Sequence, residues 1–173
     1  MRTCRLAAAL LALSLLAAAC GRLSGAGSHP SDGAIGHPTG TNELVLRWEY
    51  RGGFVSPEAI LGRIPSFSLY GDGRIITEGP QIEIYPGPAL PNLIVQRVNE
   101  DGIQAILSAA RDAGLTNGDA SYPYPCVADA ADTTFTVVAD GRTSVVSATA
   151  LGGGDEACDG TDVRARAGLF DFW

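Results

Sequence analysis

Two Asp-Gly pairs, at 72–73 and 140–141, constrain the fold more than any other feature of the chain. Each pair separates two short segments rich in β-branched and aromatic residues. Because Asp-Gly readily adopts the positive φ angles of tight turns, the pairs predict β-hairpins over residues 66–77 and 133–150. Apolar and polar residues also alternate along residues 43–50, which predicts a further strand with one buried face. Most of the domain is therefore expected to be an antiparallel sheet.

One helix is well specified between the hairpins, over residues 99–113. Asn99 is a favourable N-cap, and Glu100 and Asp101 place negative charge in the first turn. Gly114 stands where a left-handed glycine ends a helix. Apolar residues recur at helical spacing, namely Ile103, Ile106, Leu107 and Ala110. These signals predict an α+β fold, an antiparallel sheet of about five or six strands with one main helix packed on a face.

Weaker signals complete the predicted fold. A strand is expected over residues 93–98 and a short edge strand at 82–85. Ser56-Pro57-Glu58 favours one helical turn, and a C-terminal helix over 162–172 is expected to be capped by Thr161. Residues 116–131 are expected to form a loop.

The first 20 residues have the pattern of an export signal. Arg2 and Arg5 precede an uncharged run over 6–19, which is shorter than the roughly 20 apolar residues of a membrane-spanning helix. The run ends in Ala17-Ala18-Ala19-Cys20, and here the chain resembles the bacterial prolipoprotein signal, whose lipobox places small residues before an invariant cysteine. The resemblance implies a lipid on the Cys20 sulfur and anchoring at the extracytoplasmic face of the cell membrane. An ordinary secretory signal with a chance cysteine is the alternative.

The expected organisation is a signal peptide over 1–19, a lipidated flexible tether over 20–41 and one α+β domain over 42–173. The tether is inferred because residues 21–41 are rich in Gly, Ser and Pro and lack apolar periodicity. The whole chain has 12 basic and 19 acidic residues, and without the two arginines of the signal its net charge is −9. Such an acidic chain is poorly suited to bind nucleic acid.

The cysteines predict one disulfide bond. Cys4 leaves with the signal and Cys20 takes the lipid, so Cys126 and Cys158 remain as an even pair. Outside the cytoplasm such a pair is usually oxidised, and two free thiols are the alternative.

Nothing in the sequence predicts a catalytic residue, a cofactor or a metal. Both histidines, His29 and His37, fall in the expected tether, which excludes a folded Ser-His-Asp or Cys-His arrangement. The acidic stretch around Cys158 does not fit an EF-hand, since Arg166 stands where the last ligand belongs; a solvated loop is preferred, and a looser calcium site stays open. A carboxylate-dependent hydrolase is the alternative function, with candidate acids Glu78, Glu83, Glu100 and Asp101.

Two stiff Tyr-Pro loops are candidates for recognition. They display Tyr85 in the first loop and Tyr122 and Tyr124 in the second. Such loops on a rigid scaffold suit a protein or glycan partner, whereas packing of the rings over the sheet edge is the structural interpretation.

The order of these motifs over residues 43–151 resembles a group of uncharacterised secreted lipoproteins of high-GC Gram-positive bacteria. The resemblance runs through Phe67-Ser68-Leu69-Tyr70-Gly71-Asp72-Gly73, the helix ending at Ala113-Gly114-Leu115, and Thr133-Thr134-Phe135. It implies the fold and the location and supplies no catalytic residue. We therefore expect a membrane-anchored extracytoplasmic lipoprotein that binds a ligand or a protein.

Overall fold

Seven strands and three helices make up the part of the chain described by the computed structural model, which is residues 33–84, 86–88, 90–152 and 158–173. The helices are α1 (Pro57–Leu61), α2 (Glu100–Asp112) and α3 (Val163–Phe172). The strands are β1 (Leu44–Gly52), β2 (Phe67–Tyr70), β3 (Arg74–Glu78), β4 (Leu93–Arg97), β5 (Ala120–Tyr122), β6 (Ala131–Ala139) and β7 (Arg142–Thr149).

All seven strands join in one sheet, in the order β4-β3-β2-β1-β6-β7-β5. Neighbouring strands are antiparallel except β5 and β7, which are parallel. The predicted α+β class is confirmed, but the sheet has more strands than the five or six expected and is mixed rather than purely antiparallel.

The additional strand is β5, which lies within the predicted loop. It is only three residues long, too short for its alternation to distinguish a strand from a loop in the sequence. It forms because it runs beside β7, where the Asp119 carboxylate accepts a 2.8 Å hydrogen bond from the backbone N–H of Val145. Such pairing is tertiary, so the local sequence carries no sign of it.

Both predicted hairpins form, but their turns differ. Asp140 and Gly141 form a two-residue loop with φ angles of 50° and 71°, the left-handed pair that a type I′ turn needs. The first hairpin uses three loop residues, 71–73, and only Gly73 among them has a positive φ. The similar sequences therefore produce two different turn geometries.

Helix α2 has the ends that the sequence predicts. The Asn99 side chain accepts a 3.0 Å hydrogen bond from the Gly102 N–H. At the other end, Gly114 has φ +83°, and the Leu115 N–H donates to the Ala110 carbonyl at 2.9 Å. This is the Schellman arrangement, and it buries Leu115 under the end of the helix.

The shorter predicted elements are partly correct. Helix α1 begins after an N-cap at Ser56, as expected. Helix α3 is capped by Asp162 rather than Thr161, because the Asp162 carboxylate accepts a 2.9 Å hydrogen bond from the Ala165 N–H. Residues 82–84, expected as an edge strand, lie outside every strand that the structure describes.

The hydrophobic core lies on the side of the sheet that carries α2 and α3. The sheet contributes Leu46, Leu69, Phe135, Val137 and Val146, and the helices contribute Ile103, Leu107, Ala110 and Leu169. The alternate positions of β1 carry Arg47, Glu49 and Arg51, so the two faces of the sheet differ sharply in polarity.

The folded unit begins at Ala34, eight residues before the expected start. Ile35 is 5% exposed and belongs to the core, and its N–H and carbonyl bond the Gln104 side-chain amide at 2.8 and 2.9 Å. Gly36 likewise pairs with Asp140. Residues 34–41 are therefore part of the domain; a single apolar residue among Gly and Pro has no periodicity that would indicate it.

Within the described residues, no helix is long and apolar enough to cross a membrane.

Candidate binding groove

Two aromatic regions lie where helix α3 meets the sheet, one near the start of the helix and one at its end. The first contains Tyr122 and Tyr124, which the sequence singles out. The second contains Trp48, Tyr50 and Trp173, which no sequence motif brings together.

The first region is closed by a disulfide bond and an arginine. Cys126 and Cys158 are bonded, with their Cα atoms 6.0 Å apart, as the cysteine count predicts. The bond links the loop after β5 to the segment before α3. Residues 155–156 of the neighbouring acidic stretch lie outside the described residues. Among the residues that the structure describes, no group of three or more potential metal ligands occurs.

Arg166 on α3 is buried and holds three backbone carbonyls. Its Nη1 donates to the carbonyls of Tyr122 and Thr149 at 3.1 and 2.8 Å, and its Nη2 donates to that of Ala150 at 3.1 Å. Its guanidinium also lies 4.8 Å from the centroid of the Tyr124 ring. One side chain thus fastens β7, β5 and α3 together.

The two tyrosines of this loop are largely committed to the fold. Tyr124 is 7% exposed, and Tyr122 packs against the core. Tyr85, the third predicted recognition residue, lies outside the described residues. The geometry of this loop favours the packing interpretation over recognition.

The second region is a corner formed by three aromatic rings. Ring centroids are separated by 6.0 Å for Trp48 and Tyr50, 5.9 Å for Trp48 and Trp173, and 6.3 Å for Tyr50 and Trp173. The three interplanar angles are 87°, 76° and 86°, so the rings are nearly perpendicular to one another. We call Trp48, Tyr50 and Trp173 the aromatic corner.

The rings of the aromatic corner come from two distant parts of the chain, strand β1 and the residue that follows α3. Trp48 and Tyr50 are alternate residues of β1 and share its helix-facing side. Trp173 follows α3 and contacts Phe170 as well. Gly152 (φ +78°) makes room for this end of the chain, because a Cβ at that position would lie 3.0 Å from carbon atoms of both Phe170 and Trp173.

An apolar groove of about 510 Å³ opens beside the aromatic corner, between α2 and the end of α3. Leu46, Phe67 and Trp48 form its floor, and Ile106 stands on the α2 side. Asp171 is the one charged residue among the described residues that line the groove. Its volume falls within the range of small-molecule sites, and most of its lining is apolar.

Exposure distinguishes the aromatic corner from the core. Tyr50 is 40% exposed and Trp173 38% exposed, although both rings pack against other aromatics. Partial burial raises the pKa of the Tyr50 phenol above its ordinary value, because the apolar surroundings disfavour the phenolate.

His37 belongs to the folded unit, contrary to its predicted place in the tether; His29 lies outside the described residues. The Nδ1 atom of His37 lies 2.7 Å from the Pro38 carbonyl, and its Nε2 atom lies 3.0 Å from a Glu100 carboxylate oxygen. Hydrogen bonds from His37 and then from Gln104 lower the pKa of Glu100. Both ring nitrogens face acceptors, so neither is placed to take a proton from a nucleophile.

The structure does not assemble the acids proposed for the alternative hydrolase. Glu78 lines a hollow of about 350 Å³ together with Arg63, and none of the other three acids lines that hollow. Glu100 is engaged by His37 and Gln104, Glu83 and Asp101 are exposed, and none of these acids lines the apolar groove.

No protein-family model matches the chain, and neither a curated protein nor a solved structure is significantly similar to it.

Proposed function

We propose that this protein is a lipid-anchored binding protein of the cell envelope, which carries its ligand in the apolar groove beside the aromatic corner. The observation that carries the proposal is the groove itself. It is apolar and open to solvent, and Trp173, one of the two corner rings that line it, is 38% exposed.

The anchoring part of the proposal rests on the signal pattern that ends at Cys20. Two acyl chains on one cysteine provide stable attachment, whereas a single chain gives marginal binding. The Cys126–Cys158 disulfide agrees with an oxidising compartment, where such bonds form and persist.

The binding part rests on the difference between the groove and the other hollows. The hollow around Arg63 and Glu78 and the one beside Arg164 and Asp162 are lined mainly by polar groups. Open apolar surface costs free energy in water, so a groove of this size is a natural site for apolar ligand surface.

Metabolic labelling with a radioactive fatty acid tests the anchoring. We expect label on the wild-type chain and on Cys4→Ser, which alters only the signal, and none on Cys20→Ser. A processed Cys20→Ser chain that still carries label and partitions into detergent would overturn the anchor.

Binding of a neutral apolar dye, N-phenylnaphthylamine, tests the groove. The dye should bind with an affinity that falls at least fivefold when Ile106→Glu places a charge on the wall. Arg111→Glu, on an exposed position of the same helix, is the control and should leave binding unchanged. Equal affinity of all three chains would show that the dye binds elsewhere.

A further inference from the structure

We infer that a second copy of this chain pairs with the outer edge of β4, so that the two sheets join across a two-fold axis at Val95. The inference goes beyond the proposed binding function and depends on neither the groove nor the lipid. Three features of the edge carry it: its apolar side chains, its free backbone groups and the charges at its two ends.

Strand β4 ends the sheet and has a partner on one side only. It is bonded to β3, and no strand of the described chain lies on its other side. Natural proteins usually protect an edge with charged side chains, prolines or bulges, because an unprotected edge pairs with other chains. Residues 93–96 contain no charge and no proline, and their register with β3 is regular. The opposite edge, β5, is protected by its length of only three residues.

The side chains along this edge are apolar and open to solvent. Leu93 is 48% exposed, Ile94 39% and Val95 58%. The core residue Ile75 pairs with Gln96, so Leu93 and Val95 project from the face of the sheet opposite the helices, which we call the open face. Three consecutive apolar side chains on an edge strand gain burial when another strand lies beside them.

The ladder between β3 and β4 determines which backbone groups of β4 are free. The Val98 N–H donates to the Gly73 carbonyl at 2.9 Å, and the Gly79 N–H donates to the Asn92 carbonyl at 2.8 Å. Hydrogen-bonded and non-hydrogen-bonded pairs alternate in an antiparallel ladder, so the even-numbered residues of β4 bond to β3. The N–H and C=O groups of its odd-numbered residues therefore point outward.

These outward groups favour one register with a second copy. In an antiparallel pair centred on Val95, that residue exchanges both backbone hydrogen bonds with the partner's Val95, and Leu93 does so with the partner's Arg97. Every outward group of the strand then has a partner. Slipping the register by two residues in one direction brings Pro91, which has no N–H, into the ladder. Slipping it in the other direction brings in Asn99, which caps α2.

The same register matches side chains across the axis. On the open face, Val95 meets the partner's Val95, with Ile76 beside it in each copy. Arg97 stands opposite the partner's Leu93, and the partner's Glu78 lies just beyond, because Glu78 pairs with Leu93. The Cα atoms of Arg97 and the partner's Glu78 are then about 10 Å apart, within the combined length of the two side chains. The two-fold axis repeats this contact at the other end of the interface.

Both charges are available for this contact. The Arg97 side chain is 65% exposed and lies 3.6 Å from Asp72, which Arg74 already holds at 2.8 Å. Glu78 is exposed and forms no salt bridge with any described residue. Arg63 lines the hollow beside Glu78 but donates to a backbone carbonyl at the end of β1. An unpaired carboxylate and a weakly paired guanidinium thus stand at opposite ends of the edge.

Cysteine crosslinking in intact expressing cells measures the pairing at the concentration that the chain has there. Val95→Cys puts a thiol on the two-fold axis, and a short bismaleimide links two such thiols. Val145→Cys is the matched control, because Val145 is 37% exposed on the open face of β7, and the wild-type chain gives the background. We expect Val95→Cys to give at least about fivefold more linked dimer than Val145→Cys, since a specific interface exceeds random contact.

Charge exchange in the Val95→Cys background tests the register. Arg97→Glu alone opposes two carboxylates at each end of the interface, and Glu78→Arg alone opposes two cations. Each should lower the yield of linked dimer at least about fivefold, because like charges replace an attractive pair at both ends. Arg142→Glu, at an exposed position of β7, is the control and should leave the yield unchanged.

Coexpression of the two variants under different tags restores opposite charges at both ends. The mixed dimer should therefore form at close to the yield of Val95→Cys alone, and its formation also shows that both variants fold. Loss of dimer that mixing does not restore would overturn the register and the pairing that it describes.

Two further results would contradict a second copy at this edge. Equal linking through Val95→Cys and Val145→Cys would show that the chains meet at random. If the thiol of Val95→Cys reacts slowly with a monofunctional maleimide while no dimer forms, a strand from another protein covers the edge.

Discussion

The two aromatic regions along α3 differ in what covers their rings. Near the start of the helix, the guanidinium of Arg166 lies over Tyr124, and the ring is nearly inaccessible. At its end, Tyr50 and Trp173 are partly exposed, and Trp48 and Trp173 line an apolar groove. A Tyr-Pro motif that is conspicuous in the sequence can therefore pack inside the fold, whereas the accessible aromatic rings are brought together from residues far apart in the chain.

The largest expected effect is on the closed region, through Arg166→Leu. The change leaves three buried carbonyls without their donor, and removing a buried charged partner of this kind costs about 3–5 kcal/mol. Urea unfolding monitored by circular dichroism measures the loss. Arg164→Leu, on the exposed side of the same helix, should cost less than about 0.5 kcal/mol. Similar losses for the two variants would mean that Arg166 does not fasten this region.

Loss of the disulfide should be slightly smaller. The bond closes a loop of 32 residues, for which chain entropy gives about 3–4 kcal/mol. The double variant Cys126→Ser/Cys158→Ser should lower the unfolding midpoint while the tryptophan emission of the folded chain stays at its wild-type wavelength. A shift of the native emission would show that the two regions are coupled rather than separate.

The parts of the fold that sequence predicts are those defined by neighbouring residues. Asn99 and Gly114 bound α2 through contacts within a few residues, and Asp140-Gly141 closes a hairpin of adjacent strands. The burial of Ile35 depends instead on Gln104, and the aromatic corner depends on Trp173 meeting β1. No local pattern encodes such contacts, so the start of the domain and the groove emerge only from the tertiary structure.

A smaller loss of stability is expected from a substitution at Gly152, the glycine that makes room for Trp173. Gly152→Ala combines an unfavourable positive φ with a Cβ pressed on Phe170 and Trp173, for a cost of about 1–3 kcal/mol. Gly160→Ala is a matched control, since Gly160 has φ +82° and nothing within 4 Å of its added Cβ. Only Gly152→Ala should also change the tryptophan emission, because its added Cβ would press on Trp173. Identical behaviour of the two variants would show that Gly152 matters through its backbone alone.

The smallest effect concerns the Tyr50 phenol and tests the partial burial of the aromatic corner. Because burial holds its folded pKa above the unfolded value of about 10, the neutral phenol contributes stability that is fully present below that pH. That contribution is lost as the pH rises through the folded pKa, so Tyr50→Phe should show a shallower alkaline decline in stability than wild type. The difference in phenolate absorbance between wild type and Tyr50→Phe, followed against pH, measures the pKa of Tyr50 directly. A Tyr50 pKa at or below the unfolded value of about 10 would contradict the partial burial of this phenol.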